Sequence, residues 1–211
     1  MIISSHYLTH KSMFSLILSL TFVSTIITVS CTQCPVQNAQ KNEEVLEKLI
    51  TLVGRRVSLG KDVAIYKWKK GEPILDAARE KAVIESVSKQ FSDLGKAFTD
   101  NDKQFFVNIM EATKVVEYAF VLKWPAKDPG HKIRSKQVNL SDVRTSINAL
   151  QPDIIKYYLE LSTFIQSDSC QEQLATSILK LTGDSMKKFL LNTAVRRAFG
   201  DFCKKLKVHN E

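Results

Sequence analysis

Leu46, Leu49, Val53, Arg56, Gly60, Val63 and Lys67 follow one another at alternating steps of three and four residues. That spacing lines side chains along a single face of an α-helix. It recurs twice: Phe106, Met110, Thr113, Glu117, Phe120 and Trp124 keep it, and so do Leu140, Arg144, Ile147, Gln151, Ile154, Tyr158 and Leu161. Strands alternate with a period of two and fit none of these stretches. With only 7 Gly and 5 Pro in 211 residues, the chain also has too few turn residues for a many-stranded sheet. It reads as all-α, a single domain of about six helices.

The breaks in periodicity set the expected boundaries. The first helix runs from about Glu43 to Lys70, where Gly71-Glu72-Pro73 interrupts it, and Pro73 suits the first turn of a second helix ending near Phe91. A turn at Leu94-Gly95, with Asp100 as cap, leads into a third helix from Asn101 to Trp124, ended by Pro125, Pro129 and Gly130. After a polar, basic loop, a fourth begins at Leu140-Ser141 with Ser141 as cap and continues through Pro152 to about Gln166. Cys170 to Leu181 and Asp184 to Val208 supply the last two. No repeat, low-complexity tract or linker divides the stretch 43–211.

The N-terminus differs in kind. Lys11 is the only charged side chain among the first 30 residues, and Met13 to Val29 is an unbroken run of apolar, Ser and Thr residues. Such a run is short for a membrane span of ~20 residues, and the small residues Thr28 and Ser30 suit a signal peptidase. Residues 1–30 therefore read as a secretory signal cleaved after Ser30, with a retained anchor or lipid attachment at Cys31 as the alternatives. Residues 31–42 form a polar segment ahead of the domain. Export to a periplasm or to the cell exterior follows, with no stable membrane association once the signal is gone, and it makes disulfides permissible. Cys170 and Cys203, 33 residues apart, would if paired stabilise the fold by about 3–4 kcal/mol in the chain-entropy model. Cys31 and Cys34 form a CxxC without a second CxxC or a His-rich partner, so no zinc site is expected.

The formal charge is +8, or +7 without Lys11. No run of clustered Lys and Arg with interleaved aromatics is present, which argues against nucleic acid as the partner. The informative charges are those on the apolar seams. Arg56 and Lys67 interrupt the first, Thr113 and Glu117 the third, Arg144 the fourth, and Arg79 lies four residues from both Leu75 and Val83, so it too can point inward. Burying several cations of like sign is costly unless an anion joins them. Three guanidinium forks and one ammonium on inward faces therefore ask for an anionic ligand rich in carboxylate or phosphate.

These residues carry a resemblance. Arg56, then after ten residues Lys67-Trp68, Pro73-Ile74, Asp76 and Arg79-Glu80, resembles the all-helical chorismate mutases, and the tract Asp62 to Trp68 is similar to their exported subclass. Phe105-Phe106 with Glu111-Ala112-Thr113 and Glu117-Tyr118 resembles the third helix of that subclass, and Leu140-Ser141 with Arg144 the start of its fourth. The likeness covers nearly everything after residue 43. It implies that Arg56, Arg79 and Arg144 hold the carboxylates of chorismate, that Lys67 and Glu117 address its ether oxygen, and that Thr113, Glu80 and Asp76 contribute to the pocket. The catalytic set would be Lys67, Glu117 and Arg56. It also implies a Cys170–Cys203 disulfide and no cofactor or metal, and it leaves a homodimer open as the assembly. Val83 departs from the pattern, standing where members commonly place Gln or another polar pocket residue. Two other readings stay open: an exported helical anion-binding protein without catalysis, and pyruvate elimination from isochorismate. His6, His10, His131 and His209 fall outside the inferred pocket.

Overall fold

In the computed structural model, the residues described are 34–127, 133, 135–182 and 189–203. The expected signal, its cleavage site, Cys31, His6, His10, His131 and His209 lie outside them. Two compact units divide the chain, 1–42 and 43–211. In the first, the described residues are helical, and Asn38 to Lys41 are exposed.

Seven α-helices and one 3-10 turn make up the described residues, with no strand among them. They are α1 (Cys34–Ser58), α2 (Gly60–Lys70), α3 (Ala77–Asp93), α4 (Asp100–Lys127), α5 (Leu140–Glu160), α6 (Cys170–Thr182) and α7 (Phe189–Ala198), with the 3-10 turn at Phe164–Gln166. The expected first helix is present as α1 and α2, separated only at Leu59, and it begins at Cys34, nine residues before the periodicity starts.

Several boundaries correct the sequence reading. Pro73 does not open the second helix. Asp76 caps it instead, its Oδ1 accepting from the Arg79 N–H at 3.0 Å, and 72–76 stay non-helical. Thr99, not Asp100, starts α4: Asp102 Oδ2 accepts from the Thr99 N–H at 2.7 Å, while the Asp102 N–H donates to Thr99 Oγ1 at 3.3 Å, a reciprocal box that satisfies two orphan donors. Asn139, not Ser141, caps α5 through a 2.9 Å bond from the Ser141 N–H. Helix α4 runs through Pro125 to Lys127, because a proline in the last turn removes only one terminal hydrogen bond. Helix α5 ends at Glu160 and the chain reaches Gln166 through the 3-10 turn.

The main core collects one face of every helix but α2. Leu46, Leu49, Val53 and Val57 of α1 meet Val87 and Phe91 of α3, Phe105, Phe106 and Ile109 of α4, Ile154 and Tyr158 of α5, and Phe199 and Phe202 beyond α7. Phe105 stacks on Tyr158 with centroids 4.7 Å apart and an interplanar angle of 11°. The Cys170–Cys203 disulfide is formed, with Cys170 buried in this core and Cys203 against it. A smaller cluster of Ala64, Ile65 and Trp124, edged by Trp68, pins α2 to α4. The two helices approach closely at Gly60, where a Cβ would stand 3.0 Å from both the Cγ2 and the carbonyl oxygen of Thr113. This close crossing brings Thr113 and Glu117 opposite Lys67.

Candidate active site

The last turn of α2 positions Lys67. Gly71 closes the helix in the left-handed conformation at φ 69°, and the N–H groups of Gly71 and Glu72 reach back to the carbonyls of Trp68 and Lys67. A residue with a Cβ is strained there, so glycine suits the reversal. The chain then folds over the helix end, and the Ile74 carbonyl accepts from Lys67 Nζ at 2.5 Å. On its other side the ammonium meets Glu117 Oε2 at 3.3 Å. Both groups are shut in, Lys67 6% exposed and Glu117 4%.

Arg56 comes from the last turn of α1 and is 7% exposed. Among the described residues its guanidinium has no hydrogen-bond or ion-pair partner. Burial, followed by repulsion from Arg79, lowers its pKa to about 10, so it keeps its charge at neutral pH. Arg79 is lowered too, by burial and then by Arg144, with Asp76 opposing. Its Nη2 donates to Asn148 Oδ1 at 3.0 Å. Asp76 works twice: while its Oδ1 caps α3, its Oδ2 accepts from Arg144 Nη2 at 3.3 Å. One carboxylate thus fixes the start of α3 to α5 and aims the Arg144 guanidinium, while Asn148 of α5 holds that of Arg79.

All eight residues singled out in the sequence, Arg56, Lys67, Asp76, Arg79, Glu80, Thr113, Glu117 and Arg144, line one cavity with about 640 Å³ of open space, its mouth included. Val63, Ile74, Val83, Met110, Leu140 and Ile147 complete its wall with apolar surface. The sequence argument for Arg79 needs one correction, since Leu75, expected beside it on an inward face, is exposed. It precedes the helix and lies outside the α3 repeat. Thr113 spends its hydroxyl proton on the Ile109 carbonyl at 2.9 Å, which leaves its oxygen as an acceptor toward the cavity.

Sequence reasoning missed Lys114, which also lines the cavity. Its Nζ donates to Glu80 Oε1 at 3.1 Å and pairs with Glu111 Oε1 at 2.6 Å. Met110, Thr113, Lys114 and Glu117 stand at i, i+3, i+4 and i+7, so a wider stripe on α4 would have found it.

Glu117 is the group most disturbed by this setting. Burial raises its pKa to about 6, against the opposing pull of Lys67 and Lys114 and with help from Glu80. A buried carboxyl poised near neutrality can donate or accept a hydrogen bond with a small change of surroundings. Beside it stand a fixed ammonium and three guanidinium groups, in a site walled by apolar side chains. Such an arrangement binds a small molecule with more than one negative charge and stabilises further charge that develops on it.

Comparison with known proteins agrees with this chemistry. Residues 37–118 match the family described as chorismate mutase type II. The chain is 32% identical over 110 residues to the secreted chorismate mutase of Yersinia pestis, a stretch that makes up 52% of this chain and 56% of that relative. The matched region is thus little more than half of the relative's length. The crystal structure of that Yersinia pestis protein aligns over 74% of this chain and 94% of its own, with a TM-score of 0.56 and 25% identity. The chorismate mutase from Burkholderia thailandensis shares the fold, with a TM-score of 0.64 and 23% identity over 75% of this chain and 99% of its own. Seven of the eight residues lie within the stretch similar to chorismate mutase type II, Arg144 alone falling beyond it.

Proposed function

We propose that this domain rearranges chorismate to prephenate in the cavity between α1, α2, α3, α4 and α5. The observation that carries the reading is Arg56, a buried guanidinium without a partner among the described residues, facing a cavity that holds Lys67, Arg79 and Arg144 as well. A fold that leaves such a group unpaired loses stability unless a ligand supplies the anion.

The rearrangement breaks a C–O bond as it makes a C–C bond, and it proceeds without a nucleophile. Two tasks are left to the protein. Arg56, Arg79 and Arg144 hold the two carboxylates so that the flexible dianion stays in its compact reactive conformer, and the apolar wall excludes water from the fold of the substrate. Lys67 and the acid form of Glu117 donate hydrogen bonds to the ether oxygen as negative charge grows there. The substrate's own charge favours that acid form, since a nearby anion raises a carboxyl pKa further. Glu80 and Thr113 offer acceptors to the substrate hydroxyl. Asp76, with both oxygens engaged, caps α3 and aims Arg144, and Asn148 holds the Arg79 guanidinium. Val83 supplies no hydrogen bond, so the ether oxygen depends on Lys67 and Glu117.

Incubating purified protein with chorismate and, separately, with isochorismate and identifying the products tests this reading. Prephenate supports it, pyruvate from isochorismate would replace it with the elimination, and tight binding without turnover would leave an anion-binding protein.

Export belongs to the same proposal. The formed Cys170–Cys203 bridge suits an oxidising compartment, and the Yersinia pestis relative is named as secreted. Among the described residues no helix is long and apolar enough to cross a membrane. N-terminal sequencing of the exported chain is expected to begin at Cys31, and a start at Met1 would contradict the signal.

A further inference from the structure

We propose that Lys114 is a positioning residue for this reaction: it holds Glu80 against α4 and so sets the charge that the substrate and Glu117 meet at the pocket wall. The inference rests on the activity proposed above and adds a residue to its machinery.

The geometry is specific. Lys114 Nζ lies 3.1 Å from Glu80 Oε1 on α3 and 2.6 Å from Glu111 Oε1 on its own helix, and only 14% of its side chain is exposed. Burial pulls the lysine pKa down, but the hydrogen bonds it donates to Glu111 and Glu80 and their charges outweigh it, so the ammonium form is favoured. One cation thus offsets two carboxylates, of which Glu80 lines the cavity and would otherwise face a dianion. It also leaves Glu80 Oε2 as the atom turned to other partners, because Oε1 is taken.

The same pair acts on Glu117 with opposite signs. Glu117 is faced by Lys67 from α2, by Lys114 from α4 and by Glu80 from α3, while Arg56, Arg79 and Arg144 line the same cavity from α1, α3 and α5. Lys114 favours the Glu117 carboxylate and Glu80 favours its acid. Removing the cation therefore leaves Glu117 protonated to higher pH, and removing the Glu80 charge does the reverse. A lysine that served only to tie α3 to α4 would produce neither change.

The test is a pH series of chorismate turnover for the wild-type protein and for Lys114→Met, Lys114→Arg, Glu80→Gln and the Lys114→Met/Glu80→Gln double variant. In Lys114→Met the released Glu80 carboxylate repels the substrate, raising KM about five-fold, and the alkaline limb of kcat moves up by about half a unit to one unit. Glu80→Gln moves that limb down, the double variant returns it toward the wild-type position with a lower KM than Lys114→Met, and Lys114→Arg stays near wild type. Lys114→Met with an unmoved limb and unchanged KM, beside an active wild type, overturns the role of Lys114 alone. Limbs that shift in the same direction in Lys114→Met and Glu80→Gln overturn it equally. A wild-type protein inert toward chorismate overturns the activity and this inference with it. Should Lys114→Met fail to fold, the downward shift in Glu80→Gln decides the matter, its absence counting against the inference.

Discussion

Near the disulfide the buried polar groups of Tyr158 and Asn108 have partners, whereas at the cavity the buried Arg56 guanidinium has none among the described residues. By Cys170 and Cys203, Tyr158 donates to Asp102 at 2.7 Å, and Asn108 is held between Arg197 at 2.8 Å and Asp201 at 3.0 Å, all beside stacked aromatic rings. At the cavity Arg56 faces Arg79 with no anion between them, and Glu117 is driven toward its acid form. The aromatic region satisfies its polar groups internally and serves stability. The cavity keeps the Arg56 charge without a partner among the described residues, a cost to the ligand-free fold that the proposed substrate would offset.

Truncation at the aromatic region is expected to have the largest effect. Phe105→Ala removes a ring in contact with Phe106, Tyr158, Phe199 and Phe202, and should lower unfolding stability by about 4 kcal/mol in a denaturant titration. Turnover per folded molecule should persist, and its loss in proportion to stability would blur the division between the two regions. Lys67→Ala is the counterpart at the cavity. It should reduce kcat about 10²- to 10³-fold per folded molecule, and unchanged turnover would remove Lys67 from its role.

The smallest effect sharpens the contrast through pH. The Glu117 pKa in the fold, about 6, lies above its ordinary 4.5, so the folded state binds the proton more tightly. Its stabilising contribution is therefore complete below about pH 4.5 and is lost as pH rises through about 6. Turnover should fall as this group ionises in the complex, at a pH raised above that value by the bound dianion. Glu117→Gln should flatten the profile, and identical profiles for the two proteins would show that its proton is irrelevant.

The helical class and the inward charges were legible because both depend on local spacing: Arg56, Lys67 and Glu117 stand on seams whose period any helix must obey. Cap identity was less so. Thr99 and Asp100, or Asn139 and Ser141, are both good cap residues, and the choice rests on backbone angles that neighbouring packing sets. The early start of α1 at Cys34 was hidden because the exposed stretch Asn38 to Lys41 that follows it carries no apolar repeat. Leu75 misled for the opposite reason, sitting in register with a helix that begins two residues later. Lys114 shows the limit most clearly. Its role depends on Glu80, 34 residues away, and on an approach of α3 to α4 that no local pattern encodes.

The central claim is that the cavity keeps an unmatched cation for the sake of an anionic substrate. Arg56→Met, similar in length and apolar, tests it in one protein when melting temperature and chorismate turnover are measured together. The melting temperature should hold or rise while turnover falls by at least about two orders of magnitude, because the burial cost disappears along with the carboxylate contact. A variant that melts at lower temperature yet still converts chorismate at the wild-type rate would contradict the account.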